Sequence, residues 1–109
     1  MDWRKLTSIS EFDEILMQSL NQGSAFILFK HSTRCMVSKM ALRSFESDFS
    51  GGIPAYFVDL IQYRDLSNHI SSITGVHHQS PQVLTIKKGE VTYHASHYSI
   101  CAHTSSKAY

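Results

Sequence analysis

One cysteine stands where a short polar turn gives way to a helical pattern, in Phe29-Lys30-His31-Ser32-Thr33-Arg34-Cys35-Met36-Val37-Ser38. The first amides of a helix and the positive end of its dipole favour an anion, so a thiol placed there is biased towards the thiolate. Arg34 beside it and His31 four residues earlier add to that bias. The competing reading is an inert buried cysteine, which has the same residue type and none of the chemistry. One helical turn on stands Ser38 rather than a second cysteine. Its hydroxyl and amide can help hold a thiolate, or it can be an ordinary first-turn serine. In either case no disulfide can close between these two positions.

The elements around the cysteine follow from periodicity. Ser8 or Ser10 can cap a first helix, since Glu11 and Asp13 follow each of them at the capping-box distance. Phe12, Ile15, Leu16 and Leu20 then recur at helical spacing up to Gly23. Ala25 to Lys30 is a short apolar run between turn signals, hence a buried strand. From Cys35 onward Val37, Met40, Ala41, Phe45 and Phe49 form one helical stripe, stopped by Gly51-Gly52. Pro54 to Leu60 reads as a second buried strand. Leu66, Ile70 and Ile73 give a third helix closed by Gly75.

Further on, Gln82 to Lys87, the turn Lys88-Gly89 and Glu90 to Ala95 read as a hairpin. A weakly specified helix is expected from Ser99, and Trp3 to Leu6 can add an edge strand. Strands alternating with helices require a parallel pair, and the hairpin adds an antiparallel one. The expected fold is α/β, a mixed four- to five-stranded sheet with helices on both faces.

With 109 residues the chain is expected to form a single domain, 1–109, with a core that needs no disulfide or metal. A net charge of +1, with no basic stripe, argues against nucleic acid. The longest apolar run, Ala25 to Phe29, is too short to span a bilayer. Met1-Asp2-Trp3-Arg4-Lys5 lacks the apolar stretch of a signal peptide. A cytoplasmic, reducing location is therefore expected, where a structural disulfide between Cys35 and Cys101 is not.

The residues now point to a family. A strand, a cysteine-started helix, a further strand and helix, then Ser80-Pro81 at the mouth of a hairpin resemble the thioredoxin fold. More narrowly, Phe29 to Thr33 before Cys35, Ser38, Gly75-Val76, His78, Ser80-Pro81-Gln82 and His94-Ala95-Ser96-His97 resemble the monothiol bacilliredoxins. That resemblance covers nearly the whole chain. It departs at Met36, where the family usually has proline, and at Gln79, where it usually has glutamate.

The resemblance implies Cys35 as nucleophile with Ser38 beside it. It further implies that Pro81 is a cis-proline facing the sulfur, so that the Ser80 backbone can pair with an incoming chain. Because the hairpin returns the chain, Ser96 and His97 are expected at the same edge, with His31, His78 and His97 converging on the thiol. Substrate contacts are thus expected from His31, Thr33, Arg34, His78, Ser80, Pro81, Ser96 and His97. Lys30, Arg34 and the histidines could attract the carboxylates of an anionic small thiol.

The implied reaction is thiol–disulfide exchange that removes a low-molecular-weight thiol, bacillithiol, from S-thiolated proteins. Regeneration is expected from a second small thiol, another redoxin or a reductase, with no bound cofactor. Three other readings stay open: a redox-inactive binding module, a dithiol reductase resolved by Cys101, and a zinc carrier. No compact pair of metal-ligand spacing supports the last, and no metal site is expected.

Overall fold

The computed structural model describes residues 2–49 and 51–96. Within them the order is β1 (Trp3–Lys5), α1 (Ile9–Gln22), β2 (Ala25–His31), α2 (Met36–Asp48), β3 (Ala55–Asp59), α3 (Arg64–Thr74), β4 (Gln82–Lys87) and β5 (Glu90–Ser96). The sheet runs β1-β3-β2-β4-β5. Strands β1, β3 and β2 are mutually parallel, and β4 and β5 are antiparallel additions. This is the expected mixed α/β sheet. The helix expected from Ser99, together with His97 and Cys101, lies outside the described residues.

Strand β2 sits at the centre of the sheet, and both its faces are covered. A strand buried on both sides reads as a continuous apolar run rather than an alternating one, which is why Ala25 to Phe29 carries no polar residue. Successive side chains still point to opposite faces. Phe26 and Leu28 pack with Phe12 of α1 and with Leu66 and Ile70 of α3. Ile27 and Phe29 pack on the other face with Phe45 of α2, and Trp3 closes that layer. The Trp3 indole N–H donates to Glu46 Oε2 at 2.9 Å, so the short β1 is pinned to α2 as well as to β3.

Local chemistry sets the element ends. Ser8 caps α1 by accepting from the Glu11 amide, and Glu11 Oε1 in turn accepts from the Thr7 amide. The β4–β5 turn has both Lys88 (φ 54) and Gly89 (φ 75) in the left-handed region, as a two-residue hairpin turn requires.

Three residues expected on inward stripes face out instead: Leu20 is 57% exposed, Met40 59% and Ile73 51%. In α1 the inward place goes to Ser19, whose hydroxyl donates to Ser24 O at 2.7 Å and accepts from the Gly89 amide at 3.1 Å. In α2 the inward row is Ser38, Leu42, Phe45 and Phe49, so the buried residue of the first turn is a serine. In α1 and α2 a polar residue that anchors a turn or a loop takes an inward place that periodicity gave to an apolar one.

Candidate active site

Cys35 is the N-cap of α2, in extended conformation (φ −108, ψ 121), half-buried and with a free thiol. A turn delivers it there, in which the Cys35 amide donates to Ser32 O at 3.2 Å. Its own carbonyl accepts the Lys39 amide at 3.1 Å, the first hydrogen bond of the helix. Cys35 is thus placed at a helix start whose first amides have no partner within the helix; its side chain makes no cap hydrogen bond, and the first turn carries no acidic residue. Thr33 and Arg34 are exposed on the turn beside it.

Ser38 is fully buried beneath this turn. Its hydroxyl accepts from the Ser32 amide at 3.0 Å and lies 2.7 Å from His31 Nδ1. Burial holds the His31 imidazole below its ordinary pKa, although Asp59 pulls the other way. A neutral ring fits an arrangement in which Ser38 donates to Nδ1. In either tautomer the hydroxyl bridges His31 and the Ser32 amide, so Ser38 fixes the loop that carries Cys35.

His78 does not share that space. Lys30 and His31 are consecutive in β2, so their side chains leave opposite faces of the sheet. Lys30 Nζ donates to Ser67 O at 3.1 Å and to Ser71 Oγ at 3.0 Å, and lies 3.4 Å from His78 Nδ1. Ser67 Oγ is 3.2 Å from the same nitrogen. The expected convergence of His31 and His78 on the thiol is therefore not what the structure has, because the sheet separates them. His97 lies outside the described residues.

Lys30, expected to help attract the carboxylates of an anionic small thiol, is completely buried against α3. Burial without a carboxylate partner drives its pKa down to about 8. His78 is also held below its ordinary value, first by burial and then by Lys30.

The segment before β4 completes the edge. The Ser80–Pro81 peptide bond is cis. Gln82 Nε2 donates to His77 O at 3.0 Å, which fastens the segment from inside. Ser80 Oγ and Gln82 Oε1 are buried with no hydrogen-bond partner. Ser96 is the register partner of Gln82, so the end of β5 lies beside Pro81. Among the described residues no group of three His, Cys, Asp or Glu side chains is placed to hold a metal ion.

Residues 4–104 match the family described as monothiol bacilliredoxin BrxC. The chain belongs to the monothiol bacilliredoxin family. Its fold agrees. A solved structure put forward as an oxidoreductase with a thioredoxin fold is 29% identical, with a TM-score of 0.79, covering 97% of this chain and 92% of that one. Reduced thioredoxin pre-protein of Schistosoma mansoni is 16% identical with a TM-score of 0.72, covering 99% and 96% of the two chains. Fasciola hepatica thioredoxin is 13% identical with a TM-score of 0.70, covering 95% and 93%. The last two bear on the fold alone. Family and fold together support a thiol–disulfide redox role for this bacilliredoxin.

Sequence reasoning missed Ser67 and Ser71, the partners of Lys30. Isolated serines in a helix carry no signal, but a lysine ending an apolar strand does: a buried ammonium needs acceptors. No helix among the described residues is long and apolar enough to cross a membrane.

Proposed function

We propose that the protein is a cytoplasmic monothiol redoxin that removes bacillithiol from S-thiolated proteins. The observation that carries this reading is the pairing of a half-exposed Cys35 at a helix start with a buried Ser38 one turn on. The first supplies an attacking thiolate, and the second leaves no thiol one turn away to resolve what forms.

In the first step the Cys35 thiolate attacks the small-thiol sulfur of a protein mixed disulfide. A bond forms between Cys35 and the small thiol, the original S–S bond breaks, and the protein sulfur leaves as a thiolate that takes a proton from solvent. A second small-thiol thiolate then attacks the small-thiol sulfur bonded to Cys35. Cys35 leaves as thiolate, and the small thiol departs as its symmetrical disulfide. Overall the target protein's sulfur is reduced and the second small thiol is oxidised, leaving joined to the first as their disulfide; another redoxin or a reductase can take the place of the second small thiol. Rates follow thiolate fraction, nucleophilicity and leaving-group pKa. No bound cofactor, nucleic acid or membrane enters the scheme.

The test is to incubate the reduced protein with oxidised bacillithiol and, separately, oxidised glutathione, then weigh it. The expected result is one bacillithiol adduct on Cys35, absent from Cys35→Ser. Absence of any adduct on Cys35 overturns the reading. An internal disulfide to Cys101, found by non-reducing mass spectrometry, replaces it with the dithiol scheme.

A further inference from the structure

The connections of the central strands diverge at one place. Strand β2 leads into α2, which packs on the face of Ile27 and Phe29. Its parallel neighbour β3 leads into α3, which packs on the opposite face with Phe26 and Leu28. Where adjacent parallel strands send their chains to opposite faces, a crevice opens at their carboxyl ends, and ligands of open α/β sheets bind there. His31 ends β2 and Asp59 ends β3, and both line a cavity of about 370 Å³. Small-molecule sites begin at about 300 Å³.

The lining suits a small polar molecule. Phe57 supplies an apolar wall, and Lys5, Thr33 and Gln62 supply polar groups at the rim. Asp59 Oδ1 already accepts the Ile61 and Gln62 amides at 3.1 and 3.4 Å, which holds the carboxylate in place. The ring of His31 is only 5% exposed. Nδ1 is engaged by Ser38, and Nε2 has no hydrogen-bond partner among the described residues. A ring nitrogen without a partner beside a cavity is a place for a polar group of a ligand. Thr33 belongs to the same wall and stands two residues before Cys35, within ~7 Å of chain.

We infer that this crevice is the subsite for the non-sulfur portion of a low-molecular-weight thiol that carries hydroxyls and a carboxylate. Lys5 faces the carboxylate, while His31 Nε2, Thr33 and Gln62 serve the hydroxyls. The site lies on the β3 side of the cysteine loop, away from Pro81, so a protein chain at Ser80–Pro81 and a small thiol in the crevice flank Cys35 without competing. The assignment rests on the exchange reading in its choice of ligand, but the binding it asserts needs no chemistry at Cys35.

The test therefore uses unreactive probes. S-methyl bacillithiol and, separately, S-methyl glutathione are titrated into Cys35→Ser while backbone amide shifts are followed. The expected result is saturable shifts at Lys5, Thr33, Asp59 and Gln62 with S-methyl bacillithiol, and weaker binding of S-methyl glutathione, which has no hydroxyl. Lys5→Glu or Gln62→Trp, both at exposed positions, should raise the Kd about tenfold by losing a charge-assisted contact or filling the crevice. Spectra unchanged away from the crevice check that the variants fold. Shifts centred on Ser80 to Gln82, or no saturable shift with S-methyl bacillithiol, overturn the subsite. A protein that binds a probe here yet forms no adduct on Cys35 keeps the subsite and loses the exchange reading.

Discussion

Ser38 Oγ lies 2.7 Å from His31 Nδ1 and 3.0 Å from the Ser32 nitrogen, so one buried hydroxyl ties the end of β2 to the first turn of α2. The cysteine loop is strung between those two anchors. Removing the hydroxyl strands a buried amide and a buried imidazole nitrogen together. Ser38→Ala is expected to cost about 1–3 kcal/mol of stability in urea unfolding. His31→Phe and the double variant complete a cycle, with a coupling of about 1 kcal/mol expected for residues in direct contact. Additive losses would mean that the hydroxyl and the ring act independently, and that the loop is held by something else.

Lys30 makes the alkaline side of stability informative. Its pKa is about 8 in the folded protein against an ordinary 10.5. Between those values the unfolded chain holds a proton that the folded chain has released, so the free energy of unfolding rises with pH there. The burial penalty on the ammonium is largest below pH 8 and is relieved above it. Other lysines and tyrosines also titrate in this range, so the difference from Lys30→Met is the useful quantity. Wild type is expected to gain on the variant between pH 8 and 10.5 in urea midpoints, and a difference that stays flat contradicts the burial.

Much of this arrangement was legible in the residues, for identifiable reasons. Strand β2 announced itself because burial on both faces removes polar residues, and Cys35 because a polar turn separates it from that strand. Lys88-Gly89 is a turn that only left-handed conformations close. What stayed hidden depends on which way a polar side chain faces. Ser38 and Met40 are equally compatible with an α2 drawn from periodicity, and hydrophobicity favours Met40 inside. The structure buries Ser38 because His31 and the Ser32 amide give it partners that no spacing rule records. His78 misled for the same reason. The return of the hairpin to the edge of Ser80-Pro81 suggested the thiol, whereas its ring nitrogen belongs to Lys30 and Ser67 on the far side of the sheet.

Acidification should loosen the same two clusters. His31 and His78 are both held below the ordinary histidine value of 6.5, chiefly by burial. As pH falls through 6.5 the unfolded chain takes up protons first, so the stability these rings contribute above that value declines until the folded rings titrate as well. Urea midpoints are expected to fall from pH 7 to pH 5. His78→Gln keeps an acceptor for Lys30 and removes one titrating group, and its decline over that interval should be shallower. An equal slope in the variant would mean that His78 titrates alike in both states.

Met36 is where the cysteine loop departs from its family, and its position says how much that matters. It is the first helical residue of α2 and is 67% exposed, so its side chain is not a core contact. Proline is well tolerated at this position, where the amide has no helical partner and the fixed φ suits the helix. The Cys35 side chain makes no cap hydrogen bond in the structure, and the amides an N-cap thiolate would use are the second and third of the helix, here Val37 and Ser38, which a proline at 36 leaves in place. Met36→Pro is therefore expected to leave stability within about 0.5 kcal/mol and the alkylation rate of Cys35 by iodoacetamide at pH 7 within about twofold. A tenfold slower reaction in the variant would instead make the Met36 amide a principal donor to the sulfur. The substitution would then be a retuning of the nucleophile rather than a change of surface.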